Sequence, residues 1–296
     1  DLSTDGRHAT VAFTDDWRDD AARRDFTINA LYADPRTGEI FDYFGGLEDL
    51  SAHRVRFIGE PLQRIAEDHL RILRFFRFNA RFGGAMPDAS SLEACRLRAN
   101  DLMALSRERI AMELLAILAL PDPTPAIVLM IDNGIFAPVL PEISDGTLLA
   151  RLVARERDAG IAPDPVRRLM ALIAPDPALA EDVANRLKLS NAQRKRMIAL
   201  ASREAKDAEN PRALAYWLGR DVAEDRLLLG EGDITSLPNR APPAFPLSGG
   251  AIVARGVQAG PEVARILQAA ERQWVEEGFP DQARAEAIAD LLTQKA

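Results

Sequence analysis

Apolar positions along the chain change their spacing near residue 48, and that change divides it. Before it, Val11 and Phe13 in 8–13, and Phe26, Ile28 and Leu31 in 26–33, mark two extended segments. Pro35 to Gly38 is a turn signal, and Ile40 to Phe44 reads as a further strand. After it, helical periodicity dominates. A helix over 61–82 carries Ile65, Leu73, Phe75, Phe76 and Phe78 as its apolar stripe. Others are predicted near 90–101 and from Arg107 to Leu120, where Pro121, Pro123 and Pro125 break the pattern. Further helical patterns lie near 125–133, 145–158, 164–173, 177–187, 191–206 and 211–228, with short connections. The stretch 237–249 holds four prolines and reads as a linker into a last helix that runs through Trp274. The expected fold is α+β and mostly α. Its parts are a partial sheet domain over 1–46 and helical regions over 47–120, 121–236 and 237–296.

Composition narrows the class. The 296 residues are 47% hydrophobic, enough for sizeable cores and about two domains. Cys95 is the only cysteine, so no intrachain disulfide forms and a reducing, cytoplasmic setting is expected. No apolar run is long enough to span a bilayer. His8, His53 and His69 are scattered without metal-ligand spacing. The net charge of −8 speaks against a nucleic-acid partner only until its distribution is read. Between Arg186 and Arg212 eight basic residues face three acidic ones, a local balance of +5. Arg194, Lys195 and Arg196 form its centre and are the candidate RNA contact; a solvated helix face is the plainer reading of the same run.

The densest chemistry lies in 64–77. Asp68, Arg71, Arg74 and Arg77 follow at spacings of three on the expected helix, so Asp68 and Arg71 would be neighbours. A carboxylate beside a guanidinium offers an acceptor and a donor. Cytosine, with its N4 amino group and N3, satisfies both, as does adenine with N6 and N1; uracil and guanine present the opposite pattern. A well-made base contact discriminates by about 1–3 kcal/mol. The further arginines match phosphate in charge and geometry. The same spacing also fits an ordinary i,i+3 ion pair on a solvated face.

Around this helix stand Arg23-Arg24-Asp25-Phe26-Thr27-Ile28-Asn29-Ala30-Leu31, then Asp42 to Leu50, then Ser106, Arg109 and Glu113 downstream. In this order the segments resemble the class II tRNA nucleotidyltransferase (CCA-adding enzyme) and bacterial poly(A) polymerase family, strongly over about residues 1 to 145. The resemblance implies the remainder of a polymerase-β-like nucleotidyltransferase head sheet, followed by helical neck, body and tail domains. It implies tRNA as partner, CTP and ATP as substrates, and nucleotide binding by Arg24, Asp25, Asp68, Arg71, Arg74 and Arg77. Asp42, Gly45 and Gly46 match its hinge, with Asp49 in the same segment. Ser106, Arg109 and Glu113 match the segment that supports the selecting helix, although Ser106 is equally an N-cap signal.

In that family paired aspartates hold Mg²⁺ ions that activate the primer hydroxyl and stabilise the leaving pyrophosphate. No glycine-rich turn with a strand-borne Asp-x-Asp occurs from Asp1 onward, so the pair is expected upstream and the chain by itself is expected to be an inactive fragment. The acidic run Asp15, Asp16, Asp19 and Asp20 reads instead as a turn and helix start. Gly256 and Gly260-Pro261 resemble a family tail segment whose backbone could approach RNA phosphate, and equally fit a plain helix start. Two functional alternatives accompany CCA addition: a poly(A) polymerase or A-adding enzyme of the same family, and a non-catalytic RNA-binding fragment.

Overall fold

Phe26, Phe57, Phe75 and Phe78 assemble the core on which the site is built. Phe26 lies 4.9 Å from Phe57 and 5.0 Å from Phe78, centroid to centroid, and Phe57 stacks on Phe75 at 6.0 Å. Such aromatic pairs bury large areas and fix geometry. The computed structural model describes residues 3–4, 9–10, 16–237 and 243–294. The chain divides into two compact units, Asp1–Ile198 and Ala199–Ala296.

In the first unit, β1 (Ser3–Thr4) pairs antiparallel with β2 (Ala9–Thr10). Helix α1 (Trp17–Ala22) starts at Asp16, whose carboxylate accepts from the Arg18 N–H. Next, β3 (Leu31–Ala33) and β4 (Ile40–Asp42) form a hairpin that pairs Tyr32 with Phe41. Helices α2 (Gly46–Ser51), α3 (Pro61–Glu67), α4 (Arg71–Phe82) and α5 (Ala89–Leu97) follow. After a 3₁₀ segment over Ala99–Ala104 come α6 (Arg107–Leu118), α7 (Thr124–Asp132), α8 (Thr147–Asp158), α9 (Pro165–Leu169) and α10 (Pro177–Arg186). Helix α11 (Asn191–Ala201) crosses the division.

The second unit holds α12 (Pro211–Leu218), α13 (Arg220–Leu229), α14 (Gly249–Val253), α15 (Pro261–Glu276) and α16 (Gln282–Thr293). Its core centres on buried Trp274, which donates to the Pro280 carbonyl at 2.7 Å and packs on Phe245 and Phe279.

The mostly helical α+β architecture agrees with the expectation, and several elements do not. The expected strand 26–33 is a single bridge between Phe26 and Phe57, a 3₁₀ turn at Thr27–Asn29 and then β3. Asn29 causes the turn by accepting from the Phe26 N–H at 3.2 Å, a local bond that competes with sheet pairing. The expected helix 61–82 is two helices. Asp68 is extended (φ −152°, ψ 107°), and its carboxylate accepts from the Leu70 N–H at 3.1 Å. Aspartate is a better cap than helix interior, so the chain restarts there. The pattern at 211–228 divides at Gly219, whose φ of 82° lies in the left-handed region. The helix expected over 164–173 shortens to α9, the one over 191–206 ends at Ala201, and α16 was not anticipated. Val11 and Phe13, and positions 238–242 of the expected linker, lie outside the described residues.

Candidate nucleotide-binding cleft

Phe26 anchors the segment before it against α3 and α4, and that brings arginines together from three places in the chain. Arg64 on α3 donates to the Arg24 carbonyl, and Arg71 at the start of α4 donates to the Arg23 carbonyl at 3.2 Å. Glu67 accepts from both helices' arginines, 2.6 Å from Arg64 Nη1 and 2.6 Å from Arg71 Nη1. On the other side Asp20 accepts from Arg23 Nη2 at 2.8 Å, from Arg24 Nη2 at 3.0 Å and from the Tyr32 hydroxyl at 2.5 Å. The result is an open cleft of about 660 Å³ lined by Asp20, Arg23, Arg24, Arg64, Glu67 and Arg71. Four guanidinium groups face two carboxylates there. The surplus favours an anion of phosphate type. Burial, with the neighbouring Arg71 guanidinium, pushes the Arg64 pKa down, against the opposing pull of Glu67 and Asp25.

Asp68 and Arg71 do not form the expected pair on one helix face. Asp68 accepts instead from Arg109 Nη2, at 2.8 and 3.1 Å to its two oxygens, while Arg71 is engaged with Glu67 and the backbone. The reason is the break between α3 and α4, which removes the shared helix that the i,i+3 argument needs. Arg74 reaches Asp25 and lies 3.7 Å from Glu113; Arg77 Nε donates to Glu113 at 2.7 Å. Both arginines thus have carboxylate partners. Ser106 caps α6, its hydroxyl accepting from the Arg109 N–H at 3.4 Å. Arg109 and the buried Glu113, both on α6, therefore tie that helix to Asp68 and to α4.

Asp42, Gly45 and Gly46 make a locked turn. The Asp42 carboxylate accepts from the N–H groups of Phe44, Gly46 and Leu47 at 3.2, 2.8 and 2.9 Å. Gly45 has a φ of 77°, and a Cβ on Gly46 would stand 2.3 Å from the Thr27 carbonyl oxygen. Asp49, fully buried, accepts from the Thr27 hydroxyl at 2.6 Å and pairs with Arg54 and Arg56 at 2.5 and 2.6 Å.

Asp25 is 5% exposed. Burial works to raise its pKa, but the Arg74 hydrogen bond and charge, with the Asn29 amide, outweigh it and hold the carboxyl below the usual range. A group with a depressed folded-state pKa contributes stability above its unfolded value and loses it as pH falls through the folded value. Stability should therefore decline below about pH 4. Asp25→Asn should be less stable at pH 7 and show a shallower decline in that acid window. Parallel pH–stability curves for the two proteins, from urea midpoints, would remove Asp25 as a source of the dependence.

The basic run is less cationic folded than counted along the chain. Arg194 Nη1 pairs with Glu181 at 2.5 Å, Arg196 Nη1 with Asp164 at 2.8 Å and Lys188 with Glu108 at 2.9 Å, and Arg186 takes Glu142 and Asp182. Lys195 is exposed on α11. The balance of +5 omitted acids that folding brings in from outside the window.

In the acidic run, Asp16 caps α1 and Asp20 lines the cleft, while Asp15 and His8 lie outside the described residues. Among the described residues no group of three His, Cys, Asp or Glu side chains could hold a metal ion. At the tail, Pro261 opens α15 as its first residue. No helix of the described residues is long and apolar enough to cross a membrane. Sequence reasoning missed Arg23, Arg64, Glu67, Asp20 and Tyr32. Glu67 stands three residues after Arg64 and four before Arg71, and Asp20 three before Arg23 and four before Arg24, helical spacings that could have flagged them; the bonds from Tyr32 to Asp20 and to the Arg23 and Arg24 carbonyls cross between segments.

Residues 2–56 match a family model described as the poly A polymerase head domain. Residues 87–146 match one described as a probable RNA and SrmB-binding site of polymerase A. The human mitochondrial CCA tRNA nucleotidyltransferase 1 is 33% identical over 299 residues, covering 94% of this chain and 68% of the relative. Among solved structures, the Bacillus stearothermophilus CCA-adding enzyme in complex with CTP is 25% identical with a TM-score of 0.73, covering 96% of this chain and 75% of its own. The Thermotoga maritima CCA-adding enzyme complexed with a tRNA is alike in fold, with a TM-score of 0.66 at 19% identity, over 94% of this chain and 74% of its own.

Proposed function

The chain belongs to the class II family of CCA-adding tRNA nucleotidyltransferases and bacterial poly(A) polymerases, and from that premise we propose that it selects CTP and then ATP for addition to the 3′ end of tRNA. The observation that carries this reading is the four-arginine cleft beside Asp68. In it, head (1–46) and neck (47–120) jointly hold the nucleotide, with Asp42, Gly45 and Gly46 as the stiff junction between them. The body (121–236) and tail (237–296) approach the tRNA, with Arg194, Lys195 and Arg196 contributing. The relatives seen with CTP and with tRNA support both substrates.

Arg24 and the arginines around it receive the negative end of the nucleotide; Asp68 and Arg71 receive the base. Each reading group retains capacity for this. Arg71 uses three of its five N–H groups, on the Arg64 carbonyl, Glu67 and the Arg23 carbonyl, leaving two for a base acceptor. Asp68 keeps acceptor capacity beside its bonds from Arg109 and Leu70, enough for one exocyclic amino hydrogen. Their protein partners fix both groups in place before the nucleotide arrives, which is the preorganisation that selective binding requires. Asp25 and Glu113 do the same for Arg74 and Arg77. Nucleotidyl transfer itself needs carboxylates that hold the metal ions.

Labelled CTP and ATP, Mg²⁺ and a tRNA lacking its CCA end test the reading, with this chain assayed beside a form extended upstream. The expected result is two CMP and one AMP added by the extended form. Repeated AMP addition would favour the poly(A) polymerase reading, and inactivity of both forms an RNA-binding module. Transfer by the 296-residue chain alone would place the metal-binding carboxylates within it, with Asp15 to Asp20 as the candidates.

A further inference from the structure

We infer that Asp20 and Tyr32 are positioning residues for Arg24, so that the β3–β4 hairpin, outside the cleft, sets the direction of a nucleotide-binding arginine; this rests on the nucleotide reading given above. The segment Arg23-Arg24 is held in two independent ways. Its backbone is fastened by Arg64 and Arg71, which donate to the two carbonyls. Its side chains are not touched by those bonds. They are about half exposed, 47% for Arg23 and 51% for Arg24, and would sweep through solvent if only the backbone were fixed.

What restrains them is one carboxylate, and for Arg24 also the Tyr32 hydroxyl itself. Asp20 Oδ1 takes Arg23, and Oδ2 takes both Arg24 and the Tyr32 hydroxyl. An exposed ion pair by itself holds an arginine only weakly. The tyrosine changes this, because its hydroxyl donates to the same oxygen that Arg24 uses and fixes the rotamer of the carboxylate. Tyr32 is fixed in turn. Its ring meets Trp17 edge-on at 5.2 Å and Tyr43 at 6.4 Å, and its backbone is paired with Phe41 across the hairpin. The order of control therefore runs from hairpin to Tyr32, and from Tyr32 to Arg24 both through Asp20 and directly. With two arginines on one aspartate, a net positive charge still faces the cleft for the nucleotide.

The test is equilibrium titration of this chain with CTP and with ATP in the presence of Mg²⁺. Tyr32→Phe removes the hydroxyl and keeps the ring. It should raise Kd about fivefold for both nucleotides, the effect of one lost hydrogen bond of ordinary strength, with the thermal midpoint unchanged. Equal effects on the two bases are required, since Arg24 does not read them. Arg24→Ala should raise Kd by more, and adding Tyr32→Phe to it should change nothing further, because the tyrosine acts only through the arginine. Unchanged affinity in Tyr32→Phe, or the same fivefold loss in the Arg24→Ala background, would overturn the inference and leave the nucleotide reading intact. No binding by the unaltered chain, or no effect of Arg24→Ala, would remove that reading and the inference with it.

Discussion

Asp68→Ala should lower the preference for CTP and ATP over UTP and GTP by about ten- to a hundredfold, the range expected of one lost base contact. The variant is informative because its structural cost is small. The partner that Asp68 leaves behind, Arg109, is 45% exposed, and Asp68 itself 36%. Pairs of that exposure contribute about 0–1 kcal/mol, so the fold should survive with little change in its unfolding midpoint. Discrimination is another matter. Without the carboxylate the exocyclic amino group of cytosine or adenine loses its acceptor, and the carbonyl of uracil or guanine no longer meets a repelling oxygen. Both changes narrow the gap between right and wrong bases. Misincorporation of UTP and GTP by an active, upstream-extended enzyme measures it. An equal loss for all four nucleotides would reduce Asp68 to a cap of α4 and a partner of Arg109. Exchanging Asp68 with Arg71 is a less direct test, because Arg71 also fastens the Arg23 carbonyl and Glu67.

The largest stability effect is expected far from the cleft, at Glu156. Its two oxygens pair with Arg167 at 2.7 Å and Arg168 at 2.8 Å, and all three side chains are almost completely buried. One carboxylate thus serves two buried guanidinium groups. Backbone carbonyls take up further N–H groups of both arginines. Arg168 Nη1 donates to Leu118 and Leu120 at 2.7 and 2.5 Å, and Nη2 to Pro121 at 3.1 Å, all at the negative end of α6. Arg167 donates to the Ala162 carbonyl at 2.7 Å. Glu156→Leu would remove the carboxylate that joins two buried guanidinium groups, and breaking such a buried pair costs about 3–5 kcal/mol. Urea unfolding followed by a probe placed within residues 1–198 should show that loss. A loss below about 1 kcal/mol would mean that water reaches the arginines and that the cluster is not the clamp it resembles. The triple replacement of Glu156, Arg167 and Arg168 by apolar residues should be far milder than the single one, because no buried charge remains.

What could be read from the chain was local in origin. The helices that follow residue 48, the proline break after α6, and the caps at Asp16 and Ser106 all follow from neighbours within a few residues. The long Arg23 to Leu31 and Glu67 to Phe78 runs were equally legible, and with them the family. Where reading failed, it failed over partners. Asp68 and Arg71 were paired on the assumption of one continuous helix, yet a capping aspartate interrupts it. The partner Asp68 takes lies 41 positions away, that of Arg77 lies 36, and that of Arg74 lies 49. The basic run of α10 and α11 was counted without Glu108, which reaches Lys188 from 80 positions off.

Sequence by itself therefore determined the family, the helical character and the supply of arginines, because periodicity, capping and motif are properties of contiguous residues. Tertiary structure alone decided which carboxylate each arginine holds and which groups stay open to a nucleotide. Ion pairing depends on distances across a folded core, which no spacing along the chain encodes.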